Sequence, residues 1–330
     1  MTPALLFSPE CSNADMKILL SGIGGDIAES IADILSTNIP GVQIVGIDSD
    51  LLKINVNLFD EYYECPPAKN VDYCNWLKDF LENRRFDFFI PTSEEELNKL
   101  ASLNKVDMDY LESLVQIVWV GKEATRMFLS KISTNQFLAE LNLEPPKMYE
   151  LNSTIDPIKF PIVVKPDKGR GSKNLFICNN DNELEAALVF VSDPIIQEYV
   201  GDIENEYTCC VFRNLTGDIF VLILRRYLSG GLTCWVELVN DPQIEKACKL
   251  IADRINLSGS INIQLRKKGE RVAVFEINPR FSSTVLFRSA FGFNDVLWSL
   301  GIHDPNSNYV SLTTSRLTAK IRRKVEVLGL

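Results

Sequence analysis

The chain has 330 residues, 46% of them hydrophobic and 24% charged, and a net charge of −10. That length can bury a large core and suggests two or three domains, while the acidic balance argues against a general binder of nucleic acid or anionic membrane. Eight cysteines without a CxxC pair and a single histidine, His303, argue against a zinc site and fit a reducing, cytoplasmic compartment, and no run approaches the roughly 18–20 apolar residues that span a membrane. Residues 1–15 lack the basic start of a secretory signal and read as a leader or a disordered extension before a strand.

Lys17–Leu20 predicts a short strand, followed by the glycine turn Ser21-Gly22-Ile23-Gly24-Gly25-Asp26, a helix over Ile27–Leu35 and a second strand, Val42–Ile47, ending in Asp48. That succession is a βαβ unit, although the third position of a dinucleotide fingerprint holds Ile27. The pattern continues with a helix over Asp72–Asn83, a strand over Phe86–Ile90, a helix over Glu94–Leu103 and a strand over Val115–Val120. Ser93 is placed to cap the third helix, with Glu96 closing a capping box. Loops at the carboxyl ends of parallel strands face the ligand crevice, so Gly22–Asp26, Asp48–Asp50 and Thr92–Glu95 are crevice candidates; each could equally cap a helix or solvate a loop.

Lys122–Leu141 reads as helices that stop at Pro145-Pro146. The strand Phe160–Pro166 carries Lys165 near its end, and Asp167-Lys168-Gly169-Arg170-Gly171-Ser172-Lys173-Asn174 then turns into a returning strand, Leu175–Cys178. Gly169 and Gly171 permit close backbone approach, and amides plus lysines in such a loop can cradle phosphate oxygens, although a solvated hairpin turn uses the same residues. A helix over Asp181–Val191 with Asp181 as its cap, a strand over Pro194–Val200 and a polar link to Glu206–Phe212 follow. Cys209 and Cys210 alternate across that strand as small core residues.

After the turn Asn214–Asp218 come strands over Ile219–Arg226 and Leu232–Val239, then a helix over Asp241–Ile255 with Asp241-Pro242 at its start. The strand Ser260–Leu265 alternates cleanly and turns through Lys267–Glu270 into the stretch Val272–Arg280, whose strand ends at Pro279. Strand side chains alternate, so Asn262, Gln264 and Arg266 share one face, as do Glu276, Asn278 and Arg280. A longer loop centred on Glu270 would set Gln264 against Glu276, whereas a two-residue Lys268-Gly269 turn would leave them diagonal. A carboxylate, an amide and a guanidinium on an apolar strand are costly to bury without an occupant, and the oxygen ligands suit Mg²⁺. A salt-bridged strand end is the alternative. Leu317–Val327 reads as a last strand with a solvated basic face.

These residues, in this order, resemble the ATP-grasp superfamily and, within it, the carbamoyl-phosphate-synthase-like carboxylate–amine ligases. The resemblance runs from Met16 over nearly the whole chain. It implies an α/β plus α+β chain: a Rossmann-like pre-ATP-grasp domain over 16–120 that binds no dinucleotide, then a two-subdomain ATP-grasp fold. A small lid subdomain would occupy 121–200 and a large subdomain with the metal site 201–330. Lys131 resembles the first nucleotide-contacting lysine, although Ser130 stands where Asp is usual. Lys165 resembles the lysine on the α- and β-phosphates, and Gly169–Asn174, with Gly171 and Ser172, the phosphate loop. Gln197, Glu198 and Val200 look like the adenine linker, and Glu206 like the acid that receives the ribose hydroxyls. Gln264, Glu276 and Asn278 resemble the ligands of Mg²⁺, two ions in this family, with Mn²⁺ as a substitute. Arg280 resembles the arginine at the γ-phosphate or acyl phosphate.

The implied activity is ligation of a small-molecule carboxylate to an amine or amide nitrogen through an acyl phosphate, with ADP and phosphate as products. The implied partners are those small molecules, with neither nucleic acid nor membrane; dimers are common in the family, and nothing in the sequence establishes one. Two other readings compete. An NAD(P)-dependent oxidoreductase would use Gly22–Gly25 and Asp48 and leaves Glu276–Arg280 unexplained, and a non-catalytic nucleotide-binding protein on the same fold would show a lost metal ligand. Arg225 and Arg226 could serve the phosphates or pair structurally.

Overall fold

The computed structural model describes residues 16–151, 157–169, 174–229, 232–303, 305 and 318–320. The leader assigned to 1–15, Gly171 and Ser172 of the glycine loop, and all but three residues of the last strand lie outside them. The chain divides into two compact units between Val118 and Trp119.

The first unit runs β1 (Lys17–Ser21), α1 (Asp26–Asn38), β2 (Gln43–Asp48), β3 (Glu61–Glu64), α2 (Tyr73–Glu82), β4 (Phe88–Ile90), α3 (Glu94–Ser102), α4 (Lys105–Leu114) and β5 (Gln116–Ile117). Its strands form one parallel sheet in the order β3-β2-β1-β4-β5. The apolar runs Ile18–Leu20 and Phe88–Ile90 are fully buried, as expected of a sheet with helices over both faces. The strand expected over Val115–Val120 shrinks to two residues, its last bond to β4 running from Val118 N to Phe89 O at 2.8 Å.

Ser93 caps α3, its Oγ accepting from Glu96 N at 3.1 Å, but the capping box does not close. The Glu96 carboxylate turns inward instead and accepts from Ser21 Oγ and Tyr73 Oη at the carboxyl end of β1. Burial raises its pKa to about 7.

The second unit continues with α5 (Lys122–Phe128), α6 (Lys131–Glu140), β6 (Met148–Tyr149), β7 (Ile162–Pro166), β8 (Phe176–Cys178), α7 (Asp181–Phe190), β9 (Pro194–Glu198), β10 (Glu206–Arg213), β11 (Ile219–Ser229), β12 (Leu232–Val239), α8 (Pro242–Arg254), β13 (Gly259–Lys268), β14 (Arg271–Asn278), α9 (Val285–Ala290), α10 (Asp295–Ser299) and β15 (Thr318–Lys320). It holds two antiparallel sheets, one in the order β6-β9-β7-β8 and one in the order β14-β13-β10-β11-β12-β15. The cap of α7 is Asn180, one residue before the expected Asp181, with its side-chain oxygen 3.0 Å from Glu183 N. Asn is among the strongest N-caps, and Asn180 has the extended geometry a cap needs.

The larger sheet is covered on both faces. On one, Cys209, Ile223, Ile263 and Ile277 pack with Phe128 of α5, Phe137 of α6 and Ile251 of α8. On the other, Cys210, Leu222 and Leu224 meet Phe287 of α9 and Trp298 of α10. The Cys209–Cys210 pair therefore faces two cores at once, as strand alternation requires. Among the described residues no helix is long and apolar enough to cross a membrane.

Candidate functional site

A cavity of about 320 Å³ lies between the two sheets of the second unit, within the size range of small-ligand sites. Its apolar walls come from Val163, Leu175, Ile177, Leu228 and Phe275, and Gln197–Val200 line it where β9 gives way to the link towards β10. Lys131, Lys165, Glu206, Arg226, Gln264, Arg266 and Glu276 supply its charged and polar lining, and Gly169 reaches it from the loop after β7.

Lys165 ends its strand almost buried, at 6% exposure, with Nζ 5.5 Å from the centre of the Phe275 ring. Burial lowers its pKa to about 8, the nearby Glu276 carboxylate opposing the shift and Lys131 adding to it. Lys131 stands at the start of α6 and donates to the carbonyls of Asp167 at 3.1 Å and Gly169 at 3.2 Å. Ser130 caps that helix through Ser133 N at 3.2 Å, and Asp167 reaches across from β7 to accept from Ile132 N at 2.9 Å and from Ser130 Oγ at 3.0 Å. A carboxylate thus reaches the helix start from outside the helix, where it complements the dipole.

The hairpin of β13 and β14 brings the proposed oxygen ligands together. Gln264 is registered against Glu276, and Asn262 against Asn278. Neither turn considered from the sequence forms. Gly269 (φ +60°) and Glu270 make a two-residue turn that pairs Lys268 with Arg271, and a bulge at Phe275 moves the pairing by one residue. Asn278, 5% exposed, donates Nδ2 to Glu276 Oε1 at 3.0 Å, which points its amide oxygen the other way. Arg280 lies just past the strand, with Nη1 2.9 Å from Phe281 O.

One carboxylate and two amide oxygens form a hard set that fits Mg²⁺. Among the described residues no group of three or more His, Cys, Asp or Glu competes as a metal site. With a single charged ligand, such a set holds a divalent cation firmly only when phosphate oxygens complete its shell.

Three arginines around the cavity have cross-strand partners that no local pattern announces. Arg226 donates to Glu206 Oε1 (Nε 2.8 Å, Nη2 2.5 Å) and Arg266 to Glu206 Oε2 (Nε 3.0 Å, Nη2 2.9 Å). Arg271 grips Glu198 at 2.7 and 2.8 Å and also Pro145 O at 3.0 Å, so the Glu198 side chain is tied to the end of β14. Arg225 pairs with Glu237. The sequence marked Arg266 by its placement on the face of Gln264, and left Arg225 and Arg226 between the phosphates and a structural pair; in the structure both pair with carboxylates. In the first unit, both oxygens of Asp48 are used, by Gly24 N of the turn after β1 at 2.9 Å and by Asp50 N of its own loop at 3.0 Å. That leaves the acid a dinucleotide site would need already engaged.

Residues 191–318 match the family model described as "ATP-grasp in the biosynthetic pathway with Ter operon". The fold is ATP-grasp. The N5-carboxyaminoimidazole synthetase of Staphylococcus aureus, solved with ADP, superposes on 88% of this chain and 78% of its own with a TM-score of 0.70 at 15% identity. The L-amino acid ligase of Bacillus licheniformis shares this ATP-grasp architecture over 87% of this chain and 73% of its own, with a TM-score of 0.66 at 16% identity.

In sequence, the D-alanine–D-alanine ligase of Fusobacterium nucleatum is 34% identical over 80 residues, 24% of this chain and 27% of the ligase. The carbamoyl phosphate synthase large chain of Pseudomonas syringae is 25% identical over 53% of this chain and 18% of its own length. The chain thus spans little more than a quarter of the first relative and under a fifth of the second. The formate-dependent phosphoribosylglycinamide formyltransferase of Nitratiruptor sp. matches more evenly, 22% identical over 83% of this chain and 71% of its own.

Proposed function

We propose that the chain is an ATP- and Mg²⁺-dependent ligase that joins a small-molecule carboxylate to an amine or amide nitrogen, releasing ADP and phosphate. The observation that carries this reading is the cavity itself: Lys131, Lys165, Gln264 and Glu276 line one pocket of an ATP-grasp fold, and Asn278, outside that lining, is bonded to Glu276. The relatives with printed activities point the same way, being ligases or synthetases and a formyltransferase.

In this reading Gln197, Glu198 and Val200 take the adenine through backbone groups, Glu206 faces the ribose, and Lys131 and Lys165 neutralise the α- and β-phosphates. Gly169, Gly171 and Ser172 close over the phosphates and keep water from the reacting centre. Glu276, Gln264 and Asn278 would supply the protein's share of the Mg²⁺ ligands; bound there, Mg²⁺ would supply charge neutralisation and alignment of the triphosphate. The substrate carboxylate attacks the γ-phosphorus, ADP leaves, and Arg280 holds the resulting acyl phosphate. The substrate nitrogen then displaces phosphate. No protein nucleophile is needed, in keeping with a site built of lysine, arginine, amide and carboxylate groups. The first unit, whose strand order is that of a doubly wound sheet, is read as the Rossmann-like pre-ATP-grasp domain. The free thiols suit a cytoplasmic enzyme.

Mg·ATP is expected to raise the melting temperature where NAD does not, and Glu276→Ala to abolish ADP release while the far-ultraviolet circular dichroism stays unchanged. An ADP-release screen over a matrix of carboxylates and amines identifies the substrates. Turnover that survives Glu276→Ala, or stabilisation by NAD alone, overturns the reading.

A further inference from the structure

Arg226 bridges two groups to which the proposed function gives different ligands. Its Nη2 lies 2.5 Å from Glu206 Oε1 and 2.9 Å from Gln264 Oε1, and its Nε is 2.8 Å from the same Glu206 oxygen. The side chain is only 12% exposed and Glu206 5%, so water screens little of this contact. A guanidinium can only donate, so the amide of Gln264 presents its oxygen, the one atom of that side chain able to ligate a cation. Arg266 occupies the second Glu206 oxygen, and the four N–H contacts fill the carboxylate.

Resting on the proposed function, we infer that Arg226 is a positioning residue that makes metal binding depend on the nucleotide. While Arg226 holds Gln264 Oε1, a divalent cation at Glu276 meets a ligand set already shared with a positive charge, and the two cations repel at short range. The nucleotide relieves both contacts. Its ribose hydroxyls are donors for Glu206, and its phosphate oxygens are better acceptors for a guanidinium than an amide is. Released from Gln264, the guanidinium turns to the triphosphate, and the amide oxygen turns to the metal. The metal then enters with the nucleotide instead of ahead of it.

Arg266 is a built-in control. It grips the same carboxylate with the same fork, yet its other contacts are Val200 O at 3.4 Å and the Tyr199 ring at 4.6 Å, not Gln264. Removing either arginine takes one positive charge from Glu206, and only one of them frees Gln264.

The test is Mn²⁺ binding to the purified full chain, read as loss of the free-ion paramagnetic resonance signal, with and without a non-hydrolysable ATP analogue. Arg226→Met is expected to bind Mn²⁺ without nucleotide at least tenfold more tightly than the parent, and Arg266→Met to stay within about twofold. Adding Glu276→Gln to Arg226→Met should erase the gain. Where Arg226→Met does not fold, Arg226→Gln, whose amide can still donate to Glu206, carries the same expectation. Equal shifts in the Arg226 and Arg266 variants, or none in either, overturn the inference. If the parent chain takes Mn²⁺ with the analogue in a Glu276-dependent way while Arg226→Met changes nothing, only this inference fails. If Glu276 is irrelevant to Mn²⁺ binding in every form, the ligase reading fails with it.

Discussion

Gln264 stands opposite Glu276 because Phe275, between Val274 and Glu276, has no partner across the hairpin. From the turn, Lys268 pairs with Arg271 and Leu265 with Val274; carried on unbroken, that register would set Gln264 against Phe275. The bulge shifts it by one and lets two consecutive side chains, Phe275 and Glu276, line the same cavity. The strand of the proposed metal ligands thereby gains an aromatic wall next to its carboxylate, directly beneath Lys165.

Phe275→Ala should therefore weaken nucleotide binding without moving the ligands. The ring contributes apolar wall and a partly desolvated cation–π contact, together worth about 1–2 kcal/mol, or roughly tenfold in Kd. Calorimetric titration with Mg·ATP checks this, and an unchanged Kd would show that the ring only fills space.

Lys165 is held in a state that costs stability. Burial lowers its pKa from 10.5 to about 8, so between those values the unfolded chain binds more protons than the folded one. The contribution of this group to stability therefore rises with pH across that window, and at pH 7 the folded protein carries the full penalty. A shift of this size corresponds to at most about 3 kcal/mol. Lys165→Met is expected to melt higher than the parent at pH 7, with the gap narrowing towards pH 10, and to lose nucleotide affinity by about two orders of magnitude. A variant that melts lower at pH 7 would place the lysine among stabilising contacts instead.

Much of the fold was legible where the pattern is local. Alternation placed Gln264 with Asn262 on one strand's face and Glu276 with Asn278 on the next, and the strand before the glycine loop delivered Lys165 to the cavity wall. What stayed hidden depends on long-range partners. The bulge at Phe275 is a property of two strands together, and the fork of Arg266 on Glu206 joins residues 60 apart in sequence. Glu96 shows the same limit: its spacing from Ser93 fits a capping box, but the donors that claim its carboxylate, Ser21 and Tyr73, come from other elements. The short β3, β6, α9 and α10 have two to six residues each, too few for a period to declare itself.

Glu96 gives the first unit a pH dependence opposite in sense to that of a carboxylate held below its ordinary pKa, such as Glu198. Its folded pKa, near 7, lies above the ordinary value of 4.5, with burial as the cause and the Ser21 and Tyr73 donors only partly offsetting it. The folded state holds this proton more tightly, so the stabilising contribution is complete below pH 4.5 and is lost as pH rises through 7. Glu96→Gln, which mimics the protonated acid, should match the parent near pH 5 and exceed it by about 1–3 kcal/mol at pH 8. Denaturant melts at both values read the difference. A gap independent of pH would mean that the carboxyl does not titrate in this range.

The link between the two sheets of the second unit rests on Arg271 and Glu198. Arg271 opens β14, Glu198 closes β9, and the bidentate pair is backed by Pro145 O on one side and by Lys147 N, 3.1 Å from Glu198 Oε2, on the other. The two side chains are 26% and 28% exposed, and Glu198 is held below its ordinary pKa chiefly by the Arg271 hydrogen bonds. Such a pair is worth more than a surface bridge and less than a fully buried one, so a double-mutant cycle with Arg271→Met and Glu198→Gln should give a coupling of about 1 kcal/mol near pH 7. Because the folded pKa is depressed, this stabilisation is present above pH 4.5 and fades as pH falls through the lowered value. Glu198 also stands at the start of the segment proposed to take the adenine, so Arg271→Met should raise the Kd for ATP severalfold while leaving Mn²⁺ affinity in the presence of saturating nucleotide unchanged. An ATP affinity untouched by Arg271→Met, with the coupling intact, would confine the pair to holding the sheets together.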